Sequence, residues 1–378
     1  MRLHEHEAAD IFEYMGIPVP HHGVAGTAEE AQRRAVEIGF PVVIKAQVLV
    51  GGRGLAGGIQ TADSAVEVLE VSRQLLESEI KGFHVSKVLV TKKADIASEL
   101  YVGITVDGYE GKPVIVVSTE GGVSIEETAR RYPDKIVSLY IDSQAEFLPY
   151  QARMLLQKLR LPRKLLLSCA DVMVRLYKVF SQFDALIAEI NPLAVLKDGS
   201  LMAVDAVLEI DDSALFRSGR LIPHDPGRIE NPLERQGKEI GVTYVDLGGD
   251  IGIISSGAGL GMATMDIIGQ RFSPANFLET GGGITESLLY QSMELIMKKK
   301  NLRGVIVNIY GGINPIHEGA RGIVRYVKEH IVTIPVVVKA LGNRQEETWE
   351  ILRKGGVHVV TDVPTEKAVD RLFELVGG

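Results

Sequence analysis

The sequence predicts an α/β protein in two unlike parts: a first part that mixes strands, helices and hairpins, and a second built as a doubly wound parallel sheet. Three observations predict this. From about Tyr244 onward short apolar runs alternate with helix-length segments, and glycine-rich turns follow several of the runs, which is the pattern of a parallel sheet wound with helices. Before that point apolar runs meet through glycine-bearing turns such as Asp107-Gly108-Tyr109-Glu110-Gly111 and Lys197-Asp198-Gly199, the signal of hairpins. The chain of 378 residues also exceeds one ordinary core. Between the parts, the polar stretch from Pro223 to Pro232 carries prolines that stop helix and sheet, so it is the expected linker, with domains at 1–228 and 229–378.

Taken in order, Leu3, Ala8, Ile11, Phe12 and Met15 lie on one face of an opening helix closed by Gly16 and Pro18. Pro41 to Val48 is a strand with Lys45 inside it. Lys87 to Val90 and Tyr101 to Val106 are further strands, the latter turning through the Asp107–Gly111 hairpin into Pro113 to Val117. Leu165 to Phe183 is an apolar-periodic helix that carries Cys169 and leads into two strands, Ala188 to Val195 and Leu201 to Val207. In the second part strands fit Ile251–Ser255, Ala275–Leu278, Gly304–Ile309, Ile334–Lys339 and Val357–Val360. Helices fit near 259–270, 285–298, 318–330 and 344–354, with a last one after Pro364. Ligands of such a sheet belong at the carboxyl ends of its strands.

Composition excludes several classes. Hydrophobic residues at 46% and charged residues at 24% are those of a globular protein. No run is apolar and long enough to cross a bilayer, and the first residues lack the apolar stretch of a secretory signal, which points to the cytoplasm. Cys169 is the only cysteine, so an intrachain disulfide or a thiolate metal cage is excluded and a core position is expected. A net charge of -8 argues against a nucleic-acid partner.

The two strands around Lys197-Asp198-Gly199 each put an acid or amide into an apolar run. A three-residue loop closed by a left-handed Gly199 pairs Leu196 with Ser200 and sets Asn191 opposite Asp205, with Glu189 on the same face. Hard oxygen donors without thiolate or imidazole suit magnesium on a nucleotide phosphate. The same residues also suit a polar hairpin face in solvent.

Gly51-Gly52-Arg53-Gly54-Leu55-Ala56-Gly57-Gly58 follows the strand bearing Lys45, so backbone amides and two cations can converge on one anion, phosphate being the natural one. It is not a Walker A loop, because Gly58-Ile59 stands where Lys-Ser/Thr is required. A plain glycine hairpin, with Lys45 as an outward edge lysine, is the other reading. Ser256-Gly257-Ala258-Gly259 opens like a dinucleotide fingerprint, but Met262 takes the third glycine position. Thr280-Gly281-Gly282-Gly283 and Tyr310-Gly311-Gly312-Ile313-Asn314 are two more such turns, and three along one sheet edge imply an anion pocket at helix amino termini. Tight packing explains any one of them equally. His317, near one helix start, is expected as a capping or surface histidine rather than a nucleophile, and His4, His6, His21 and His22 as surface residues.

Val43-Ile44-Lys45-Ala46-Gln47-Val48 with Gly51 to Gly54 and Ala56-Gly57-Gly58, then Ser118-Thr119-Glu120-Gly121-Gly122-Val123, Glu189-Ile190-Asn191-Pro192-Leu193, Asp211 to Arg217 and Asn308 to Ile313, closely resembles the succinyl-CoA synthetase beta-subunit family nearly end to end. The resemblance implies an ATP-grasp domain followed by a flavodoxin-like CoA-ligase domain. It implies a reversible reaction in which ATP or GTP, a carboxylic acid and CoA give an acyl-CoA, nucleoside diphosphate and phosphate. By position, Lys45, Gly52, Arg53, Gly54 and Glu99 would hold the nucleotide, with Thr91 and Ala94 at its hinge. Asn191 and Asp205 would bind Mg2+, and Glu189 would stand beside a phosphohistidine. That histidine belongs to an alpha subunit, which also supplies most of the CoA site, so a hetero-oligomer of one or two αβ pairs is implied. Ser256, Gly312, Ile313 and Asn314 fall where the small acid binds.

Four departures bear on specificity. Ser256 replaces the asparagine of an Asn-Gly-Ala-Gly turn, which admits succinate or another small dicarboxylate, hydroxy acid or sulfonated acid. Thr91 and Ala94 stand where a glutamate and a threonine are usual, leaving ATP and GTP both open. Leu55 replaces a lysine, and Asn314-Pro315 departs from the pattern after Gly-Gly-Ile. A single-chain ATP-grasp carboxylate–amine ligase and a non-catalytic nucleotide-sensing subunit are the competing readings.

Overall fold

The computed structural model describes residues 1–122, 125–142, 146–217, 228–229 and 231–377. The chain folds as two compact units, Met1–Pro223 and His224–Gly378. Pro223 to Gly227 and Glu230 of the expected linker lie outside the described residues.

The first unit runs α1 (Glu5–Tyr14), β1 (His22–Ala25), α2 (Ala28–Ile38), β2 (Val42–Ala46), β3 (Ile59–Ala62), α3 (Ala65–Leu76), the short β4 (Glu79–Ile80) and β5 (Phe83–His84), β6 (Val88–Lys92), β7 (Ile96–Asp107) and β8 (Lys112–Ser118). It continues with α4 (Ile125–Arg131), β9 (Ile136–Tyr140), α5 (Pro149–Gln157), α6 (Arg163–Gln182), β10 (Ala185–Leu196), β11 (Leu201–Ala203) and β12 (Ala206–Ile210). A four-stranded sheet, β1-β6-β2-β3, packs under α2 and α3, whose amino ends are capped by the hydroxyls of Thr27 and Ser64. β2 lies between β6 and β3, so Lys45 is on an interior strand and the edge-lysine reading fails.

A larger sheet orders β11-β10-β7-β8-β9, with β12 also paired to β10. Helices α1, α5 and α6 cover one face of it, burying Phe12, Leu156, Met173 and Leu176 against Val102, Ile104, Ile190 and Leu208. Because side chains alternate, Tyr101, Gly103, Glu189 and Asn191 are thrown onto the opposite face. Cys169 is fully buried in α6, as its apolar context predicts.

The hairpin register is the one its loop predicts: Leu196 N donates to Ser200 O at 2.9 Å, Gly199 has φ 81°, and Val195 pairs Leu201. The expected strand Leu201–Val207 is nevertheless two strands, broken at Val204-Asp205. Pro192 opposite has no N–H to offer, and the Asp205 carboxylate takes the Ala206 N–H at 2.9 Å in place of a ladder bond.

The second unit runs α7 (Pro232–Ile240), β13 (Thr243–Asp246), β14 (Ile251–Ser255), α8 (Ala258–Ile268), β15 (Asn276–Glu279), α9 (Glu286–Met297), β16 (Gly304–Gly311), α10 (Ile316–Glu329), β17 (Val336–Gly342), α11 (Gln345–Lys354), β18 (His358–Val360) and α12 (Glu366–Val376). Its sheet orders β13-β15-β14-β16-β17-β18, parallel except for the antiparallel edge strand β13. Helices α8 and α12 pack on one face, and α9, α10 and α11 on the other. Helix α7 is a correction to the sequence reading. Pro232 does not stop a helix but occupies its first turn, where its missing N–H costs nothing, and Asn231 Oδ1 caps it by accepting from Leu233 N at 2.8 Å.

Candidate functional site

In the first unit the glycine loop returns on itself, with Gly58 N donating to Arg53 O at 2.9 Å and Gly52 and Gly57 at φ 72° and 78°. This turns Arg53 inward, where it is 8% exposed. The two cations expected to meet an anion do meet one, supplied by the protein itself. Glu5 of α1 receives Lys45 Nζ at 2.6 Å and Arg53 at 2.8 Å. Arg53 also reaches Asp205 at 3.0 Å and the Ala46 carbonyl at 3.2 Å, while Lys45 Nζ donates to Val204 O at 2.6 Å. The strand with the lysine, the glycine loop and the oxygen-bearing hairpin are thereby brought to one point.

Electrostatics divide the two acids. Burial opposes ionisation of Glu5, but Lys45 and then Arg53 outweigh it and hold its carboxyl below the ordinary range. Burial first, and Glu5 second, push Asp205 up against the pull of Lys45 and Arg53. Glu189 is also raised, chiefly by burial, with an opposing hydrogen bond from Asn191.

The strand pairs Ile190–Ala206 and Leu193–Ala203 flank Asn191 and Asp205 and leave them opposite one another. Asn191 Oδ1 accepts from Gly122 N at 2.8 Å, and the Glu99 carboxylate lies where a Cβ on Gly122 would stand, so Glu99 joins this group. Thr91 is brought into the same sheet as Lys45 but is buried, its hydroxyl directed at the Val43 carbonyl at 3.5 Å. Ala94 lies two residues beyond β6 and nothing ties it to the other groups. Among the described residues no group of three or more His, Cys, Asp or Glu forms a metal cage. Two hard oxygen donors, Asn191 and Asp205, are of the kind that would hold a magnesium ion.

In the second unit three turns meet at the carboxyl ends of the strands. Ser256, Gly281, Gly282, Ile284, Tyr310 and the run Gly311 to Asn314 line a pocket of about 340 Å3. The Ser256 hydroxyl accepts from Tyr310 N at 2.9 Å and donates to Tyr310 O at 3.1 Å, clasping the β14 turn to the β16 turn. The Asn314 side chain donates to Gly282 O, and Asn343 holds the Ile313 carbonyl at 2.9 Å. All four predicted acid-site positions therefore fall on one pocket.

His317 is a correction. It is neither capping nor on the surface but 5% exposed in α10, with Nε2 3.2 Å from Arg344. His6 is likewise engaged, by Gln47 at 2.9 Å, and His22 by Asp10 at 3.0 Å. Sequence reasoning missed Glu5. It stands at i−3, i−4 and i−7 from Ala8, Ala9 and Phe12, so an acid on the apolar stripe of α1 was the signal.

No helix among the described residues is long and apolar enough to cross a membrane. The ATP-grasp domain family matches residues 2–195 and the CoA-ligase family residues 254–372. The chain is 42% identical to the GDP-forming succinate–CoA ligase subunit beta of Thermus thermophilus over 380 residues, covering 100% of both. It is 41% identical to the ADP-forming subunit of Methanocaldococcus jannaschii over 375 residues, covering 99% and 100%. In fold it is similar to the ATP citrate lyase of Methanothrix soehngenii, with TM-score 0.72 at 19% identity and 99% of each chain covered. An ATP-grasp domain holding cations over an oxygen-lined hairpin, followed by a CoA-ligase domain with a pocket between glycine turns on its sheet edge, places this chain in the succinate–CoA ligase beta-subunit family of nucleotide-dependent acid–CoA ligases.

Proposed function

We propose that this subunit phosphorylates a histidine of a partner alpha subunit from ATP or GTP, and that the phosphoryl group then activates a small carboxylic acid for transfer to CoA. The observation that carries the reading is the meeting of Lys45, Arg53 and Asp205 at one buried point beside Asn191 and Glu189. Lys45, Arg53 and the amides of Gly52 and Gly54 take the triphosphate oxygens, Arg53 exchanging the Glu5 and Asp205 carboxylates for phosphate. Glu99 contacts the nucleotide, with Thr91 and Ala94 along its hinge. Asn191 and Asp205 hold Mg2+, which supplies charge neutralisation on the phosphates when bound. Glu189, half-buried on the same face, accepts the N–H of the imidazole and orients its other nitrogen toward the γ-phosphate.

The acid binds in the second unit against the amides of Gly312, Ile313 and Asn314, where the amino terminus of α10 favours negative charge. Ser256 has already given its proton to Tyr310 O, so it shapes this pocket and offers the acid only a lone pair. That spent donor favours a second choice of acid beside succinate, one with a hydroxyl or other donor group of its own. The assembly is a hetero-oligomer of one or two αβ pairs in the cytoplasm.

Incubating the complex with γ-labelled ATP or GTP, then with CoA and a panel of small acids, tests the reading. Label on the partner that CoA and one acid discharge is the expected result, and chelating the divalent cation prevents it. Turnover by the lone chain with an amine acceptor, or no label from either triphosphate, would refute it.

A further inference from the structure

Tyr101 is 6% exposed on β7, on the face of the large sheet that carries Glu189 and Asn191. Its ring lies along the strand over Gly103, where an added Cβ would collide with the phenol hydroxyl. Gly103 pairs across the ladder with Glu189, so their Cβ positions are about 5 Å apart, and the hydroxyl lies close enough to the Glu189 carboxylate to feel its charge, with no hydrogen bond between them. Among the described residues that hydroxyl has no hydrogen-bond partner, and it is not fully sealed from solvent, so its donor is free to engage a neighbour. Burial, then the charges of Glu189 and Glu126, push the phenol up, so it remains a proton donor throughout the working range.

We propose that Tyr101 is a positioning residue: from the slot that Gly103 leaves empty, its hydroxyl donates to the Glu189 carboxylate once the partner's imidazole docks, and fixes the oxygen that faces that imidazole. The missing side chain at Gly103 is what makes room for the donor. This rests on the reading of Glu189 given above, and it adds the group that aims it. Glu126 faces the same phenol from α4 and is ranked below Glu189 as an influence on it.

The test is a double-mutant cycle in the αβ complex, following single-turnover phosphoryl transfer from γ-labelled triphosphate together with nucleotide affinity. Tyr101→Phe is expected to slow transfer roughly 10-fold, the size of a lost hydrogen bond to a charged group, with the nucleotide Kd unchanged. In a Glu189→Gln background the same change is expected to add nothing. Gly103→Ala, which keeps the phenol but displaces it, is expected to slow transfer as well. A full rate in Tyr101→Phe, losses that multiply in the double variant, or a matching loss of nucleotide affinity would overturn the proposal while leaving Glu189 in place. An unimpaired Glu189→Gln would overturn the assignment of Glu189 and this inference with it.

Discussion

Asp205 is a carboxylate that the fold does not favour as an anion. Burial and Glu5 both push it up, so its charge adds little to stability, in keeping with the metal-binding role proposed for it. Asp205→Asn is therefore expected to unfold no more easily than the parent while losing phosphoryl transfer to the partner. A lowered Tm with transfer intact would reverse the assignment. Glu5 is the opposite case, since Lys45 and Arg53 lean on it and all three side chains are buried. Removing one member of a buried ion cluster leaves charge without a counterion, so Glu5→Ala should cost about 3–5 kcal/mol in denaturant unfolding. Magnesium triphosphate supplies new anions to the same cations, and its stabilising effect on Tm should be larger in Glu5→Ala than in the parent. An equal shift in both proteins would mean that phosphate does not replace Glu5. The acid was visible in the sequence as a misfit on an apolar stripe, but its two partners come from 40 and 48 positions further on, and no local pattern links them.

The elements were legible where local rules decide them. The turn Lys197-Asp198-Gly199 set the register of β10 on β11 because a left-handed glycine leaves one way to close a three-residue loop. The break at Asp205 was not legible, since it depends on a side chain competing with the ladder. Helix α7 was misjudged because a proline that ends one element can equally begin the next. At the pocket, the Ser256 clasp joins two turns 54 residues apart and spends the hydroxyl that sequence reasoning had offered to the acid. Ser256→Asn returns amide donors to that place and should change the ranking of acids that discharge the phosphorylated complex, and an unchanged ranking would mean the acid is read only by the Gly312–Asn314 amides. In α6, burial raises the Cys169 thiol to about 12. The unfolded chain sheds this proton at the ordinary thiol value and the folded one does not, so stability falls as pH climbs from there toward 12. Native protein should resist thiol reagents at neutral pH and react once denatured; rapid labelling of the folded chain would contradict this burial.

For the whole molecule, the change from hairpins to strand–helix alternation near Tyr244 separated two units because each pattern buries its apolar surface in a different layer arrangement. Fold class, the three glycine turns, the hairpin register and the buried cysteine follow from composition, period and turn chemistry, and the amino acids settle these by themselves because each depends on neighbours within one or two turns of chain. Which carboxylate receives Lys45 and Arg53, which hydroxyl is already spent, where His317 is buried and which tyrosine lies across Gly103 were decided only by tertiary structure. Each is a meeting of side chains from distant strands and helices, and the energy that selects it, a buried charge finding its counterion or a donor finding its acceptor, exists only once the sheets have closed over them.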